Sequence, residues 1–251
     1  MISKQEYVEL IKQYENDYID FMGINNFPEY KLELYEIKAN KADRAGFGIV
    51  AQALYDPETG QHTLRICTNL EVKEYIVFHE FTHILDSEMY ANKDAIRYAY
   101  LSGYTEYHAS QVELMFLLGA QKISDNICGK TMRSVIPTFP NERTVEEYII
   151  SKHQLVIDMM NRKDFPANIE ALKVTLGVLY NYWGSRSICK LYLDDYQEHV
   201  DNSAIIRIIP LSVFLVMNIF MDGWFDDSKV EKSFGPYSNA LMPIIVNKKL
   251  E

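Results

Sequence analysis

Two histidines in this 251-residue chain, His79 and His83, stand four residues apart with Glu80 beside the first. The pattern is HExxH, set in Glu74-Tyr-Ile-Val-Phe-His-Glu-Phe-Thr-His-Ile-Leu-Asp86. On a helix, residues four apart share a face, with Cβ atoms about 5–6 Å apart. Both imidazoles can then point a ring nitrogen at one Zn²⁺, whose bonds to nitrogen are about 2.0–2.1 Å long. Glu80 falls beside that face, where a carboxylate can take a proton from a zinc-activated water. The chemistry suggested is hydrolysis, with zinc as the cofactor.

A zinc hydrolase site uses three protein ligands and keeps one position open. In the metzincin arrangement a glycine and a third histidine follow shortly after the motif. Here the chain runs Ile84-Leu-Asp86-Ser-Glu-Met89, so a glutamate from a later helix is the alternative. Glu106 is the best candidate, 106 − 83 = 23 residues after the second histidine. That gap lets the motif helix end, the chain turn, and a second helix pack back across the first. Glu106 sits near Tyr104, Ala109 and Val112, a partly apolar setting where an unpartnered carboxylate is costly to bury. Glu113, on much the same helical face, is the reserve. Glu88 shares the motif helix but lies five residues past His83, which swings it off the metal face. Asp86 is placed either to accept a ring N–H from a ligand histidine or to end the helix as a solvated carboxylate. Tyr104, Tyr107 and His108 are candidate donors to an oxyanion, each also readable as packing or surface.

The elements that must position these residues follow from periodicity. Apolar positions at Tyr7, Leu10, Ile11, Tyr14, Tyr18 and Phe21 predict a helix over 3–21. Residues 30–39 read as a strand. Residues 48–55 and 61–68 flank the turn signal Asp56-Pro-Glu-Thr-Gly60 and predict a β-hairpin. Its second arm, 62–68, offers an edge to which an extended peptide could pair. Asn69 can cap the motif helix over about 70–90. A second helix is expected over about 94–121, with Gly103 able to interrupt it. Others follow at about 143–162, 167–182, 185–199 and 204–221. His62 reads as exposed near the turn. His153 and His199 lie on helices without a metal-spaced partner and read as structural.

Composition narrows the function classes. The net charge is −10 and there is no long basic run, which argues against a nucleic-acid partner. Cys67, Cys128 and Cys189 form no CxxC pair, so neither a disulfide framework nor a thiolate zinc site is expected. They read as buried, reduced thiols of a cytosolic protein. The first ten residues contain no apolar run of the secretory kind, so a cytoplasmic location is expected. Ser203 to Met221 is apolar but carries Arg207, Pro210 and Asn218. It reads as a core helix kinked or begun near Pro210, with no membrane partner.

His79-Glu80-Phe-Thr-His83-Ile-Leu-Asp86, followed by Glu106-Tyr-His-Ala109 and the apolar Leu114 to Leu118, resembles the ImmA/IrrE-like metallopeptidases of the gluzincin group. These are intracellular zinc proteins common in bacteria, phages and mobile elements. The resemblance covers about residues 30–120. It implies an α+β, mainly helical, zincin-like fold, with a small antiparallel sheet packed on the HExxH helix and additional C-terminal helices. The expected division is a zincin-like part over 1–125 and a helical part over 126–251, packed as one compact unit. His79, His83 and Glu106 are then the zinc ligands and Glu80 the general base, acting on a peptide or protein substrate. The rival from another class is a non-catalytic, zincin-like protein-binding module.

Overall fold

A computed structural model describes residues 3–37, 50–197, 202–220, 222–224, 226, 228–232 and 244–246. Helix α1 (Lys4–Met22) starts at a capping box, in which Ser3 and Glu6 satisfy each other's backbone amides. It ends at Gly23, whose φ of 67° suits a residue without a side chain. Three strands follow: β1 (Tyr30–Tyr35), β2 (Ala51–Asp56) and β3 (Gln61–Cys67). Helix α2 (Glu74–Asp86) carries the motif and runs into a π-helical turn, Ser87–Ala91. Asn92 and Lys93 then take left-handed backbone angles, and Asp94 caps α3 (Ala95–Leu117) by accepting from the amides of Ile96 and Arg97. A pair of two-residue strands, β4 (Val135–Ile136) and β5 (Arg143–Thr144), precedes α4 (Val145–Met160). Helix α5 (Ile169–Tyr192) is followed by α6 (Ser203–Ile206) and α7 (Leu211–Phe220). The architecture is α+β and mainly helical, as expected.

The sheet differs from expectation. Its order is β1-β3-β2, with β2 antiparallel to β3 but β1 parallel to it. It is therefore mixed, not antiparallel throughout. The turn at 57–60 fixes the β2–β3 hairpin, and β1 takes the other side of β3. The second hairpin arm is consequently the central strand, with both edges paired, and cannot add a peptide. The edge that faces α2 belongs to β2.

Helix α2 is held by packing more than by its ends. Lys73 stands at its N-cap and makes no side-chain capping bond. Asn69, expected to cap, instead accepts from the Ile37 amide and donates to the Ile37 carbonyl, tying the β1 end to the sheet. Ile76, Val77, Phe78, Phe81 and Ile84 are buried. Each such side chain stabilises by about 1.5–3 kcal/mol, against about 1 kcal/mol for a cap. Tyr18 of α1 packs edge-on against Phe78 and hydrogen-bonds Thr82 at 3.0 Å, which fixes the rotation of α2. His79 and His83 are thereby turned towards α3.

The expected break between helices at 182 and 185 is absent, because Gly184 lies inside continuous α5. A Cβ there would stand 2.1 Å from the Tyr107 carbonyl oxygen and 3.0 Å from the Ser110 Cβ. The glycine is a point of close approach between α5 and α3. Gly103 likewise leaves α3 continuous. Pro210 directly precedes α7, but Leu211, Leu215 and Val216 are exposed, so that helix is not wholly core. Among the described residues, no helix is long and apolar enough to cross a membrane.

Candidate metal centre

His79, His83 and Glu106 converge. One ligand atom from each lies within 4.8 Å of the other two, and no other such group of His, Cys, Asp or Glu occurs among the described residues. The Nε2 atoms of His79 and His83 are 3.3 and 3.7 Å from the two oxygens of Glu106. The imidazoles are 12% and 15% exposed and Glu106 is 32% exposed, so the open side of the site lies by the carboxylate.

The other nitrogen of each ring is engaged. His79 Nδ1 is 3.0 Å from Glu113 Oε2. A carboxylate accepts, so Nδ1 carries the proton and donates it to this bond. His83 Nδ1 is 3.0 Å from Thr105 Oγ1, and that hydroxyl donates to Asp86 Oδ2 at 2.7 Å. With its proton committed to Asp86, the Thr105 oxygen accepts from His83 Nδ1–H. Both tautomers are set the same way, which frees both Nε2 lone pairs for a metal. Two imidazoles and a carboxylate are a donor set suited to zinc.

Glu113 is therefore not the third ligand but the acceptor that orients His79. Tyr148 of α4 donates to its other oxygen, and Lys152 of α4 stands 3.5 Å away. Burial by itself would raise the Glu106 and Glu113 carboxyls. The imidazoles of His83 and His79 hold Glu106 down at about 2, and Lys152 with His79 holds Glu113 there too. Burial works against a charged His79, but Glu106 and Glu113 together hold it up at about 10. Burial lowers Lys152 below the usual lysine range, against the pull of Glu113.

Glu80 is buried, and its Oε2 accepts from the Ala53 amide of β2 at 2.6 Å. That amide points away from β3, so Ala51, Ala53 and Tyr55 turn their main-chain groups to the outer edge of β2.

The remaining expected residues are placed elsewhere. Asp86 reaches His83 only through Thr105, and its direct ring partner is His108 Nδ1, 2.9 Å away. His108 is thus committed to Asp86 and is not a donor at the metal face. Tyr107 donates to the Gly223 carbonyl and Tyr104 is buried in the core, so neither serves an oxyanion there. The cause is helical rotation: positions 104, 107 and 108 stand about 100–200° around α3 from Glu106. His62 is buried, not exposed, with Nε2 3.0 Å from Glu88. His153 packs on Tyr182, and His199 lies outside the described residues. Cys67 and Cys189 are buried and Cys128 is exposed; all three thiols are free. Thr105, Tyr148, Lys152 and Asn181, and the Ala53 amide, were not legible from any spacing; only Thr105, next to Glu106, carried a local signal.

No family model matches the chain, and no curated protein and no solved structure matches it.

Proposed function

We propose that the chain is a zinc metallopeptidase of the gluzincin kind, related to the ImmA/IrrE-like enzymes, that hydrolyses peptide bonds. The observation that carries this reading is the convergence of His79 Nε2, His83 Nε2 and the Glu106 carboxylate, with both Nδ1 atoms engaged behind them. When bound, zinc would polarise the scissile carbonyl and make water nucleophilic at neutral pH. Glu113 and the Thr105–Asp86 pair hold the imidazoles in the ligating tautomer. Glu80 takes the proton of the attacking water and passes one to the leaving amine. The outer edge of β2 receives the substrate as an added strand, main chain to main chain.

One observation favours the second reading, a protein-binding module that holds zinc without catalysis. The Glu80 carboxylate already accepts a main-chain amide and is buried, as a purely structural carboxylate would be. The two readings separate when zinc-loaded protein is offered a broad peptide library. The peptidase reading expects cleavage that a chelator stops and added zinc restores. Full zinc occupancy with every peptide intact would favour the module.

A further inference from the structure

Helix α5 carries a side chain aimed at the third ligand. Asn181 Nδ2 is 3.4 Å from Glu106 Oε2. The orientation of this amide is not arbitrary. Its oxygen faces Lys152 Nζ at 2.5 Å and Ser110 Oγ at 3.2 Å. An ammonium can only donate, so the amide oxygen must face it, and the NH₂ group is left to face Glu106. Ser110 fits that orientation, since its hydroxyl can donate to the Asn181 oxygen while accepting from Lys152 at 3.1 Å. One turn earlier on α5, Gly177 faces the same carboxylate, since a Cβ there would lie 3.6 Å from the Glu106 Cγ.

We infer that Asn181, oriented by Lys152 and Ser110, is a positioning residue that holds Glu106 for the metal, so that the C-terminal helices form part of the metal centre. This rests on the zinc reading above. Glu106 is the most exposed of the three ligands, and among the described residues Asn181 is its neutral side-chain donor. Its partner amide is in turn held by a lysine that also approaches Glu113. Glu106, through the amide, and Glu113, directly, are thus tied to one cation. Removal of the amide takes from Glu106 Oε2 the donor on its α5 side and lets the carboxylate turn. A reversed amide would set oxygen against oxygen, which Lys152 prevents.

The test uses the full chain, stripped of metal and titrated with Co²⁺ and, by competition, with Zn²⁺. Outer hydrogen-bond partners of metal ligands typically govern about ten- to a hundredfold in affinity. Asn181→Leu is expected to weaken both metals by about that factor and to change the visible Co²⁺ absorption bands. Asn181→Ala, which admits water in place of the amide, keeps the test usable should leucine prevent folding, and is expected to shift the bands in the same direction. Unchanged affinity and bands in a folded Asn181 variant would overturn the inference. Failure of the unaltered chain to bind either metal would overturn the zinc reading itself.

Discussion

Helices α2 and α5 both press on α3 at the candidate metal centre, and they were unequally visible in the sequence. Helix α2 presents His79 and His83 at i and i+4, a spacing set by helix geometry alone. Helix α5 presents Asn181 and Gly184, whose partners Glu106 and Tyr107 lie far away in sequence. Ligands that share a helix must obey a local rule. The groups that orient those ligands need only arrive in the right place, and any helix packed nearby can supply them. The front of a metal site is therefore readable from spacing, whereas its back is a property of the folded chain.

The largest expected effect is at α2. Glu80→Gln keeps the shape of the side chain but removes its basicity. Peptide hydrolysis should fall by about 10²–10⁴-fold with zinc content unchanged, measured as kcat/KM beside metal analysis. Retained hydrolysis would move the proton transfer to another group. At α5 the largest effect is steric. Gly184→Ala places a Cβ against the Tyr107 carbonyl, and backbone cannot yield cheaply, so urea unfolding should report a loss of about 3 kcal/mol or more.

A smaller effect separates orientation from ligation. Against burial, Glu106 and Glu113 hold the His79 pKa up at about 10, so at neutral pH the metal-free ring keeps a second proton, on Nε2. Zinc must expel that proton, so zinc affinity should rise as pH rises through neutrality towards that value. Glu113→Gln removes one of the two carboxylates, lowers the basicity of His79, and should flatten this slope while weakening zinc by about tenfold or more. Calorimetry in buffers of different ionisation heat counts the protons released; an unaltered count would contradict the Glu113 assignment. The smallest effect is at the start of α5, where Asn168 caps the helix by accepting from the Ala171 amide. Asn168→Ala should cost about 1 kcal/mol in thermal unfolding and leave zinc affinity unchanged, because fraying of the first turn stops well before Asn181.

The same contrast explains what could be read in advance. The hairpin, the motif helix, α3 and Glu106 followed from turn residues and periodicity. The parallel β1 did not, because strand order depends on which side of β3 the chain takes. Continuous α5 did not either, because glycine signals both a helix end and a close packing point. Gly184 serves the second role. His62 looked exposed beside its turn, yet Glu88 from the π-helical turn after the motif helix partners it and Tyr55 covers it. Glu113 shared the face of Glu106, and only the position of His79 decides that it orients rather than binds.

The central claim is that His79, His83 and Glu106 together hold one metal ion. Metal analysis of purified protein, beside His79→Ala and Glu106→Ala, tests it most directly. About one zinc per unaltered chain and loss of zinc from both variants are expected. Full zinc occupancy in Glu106→Ala would contradict it.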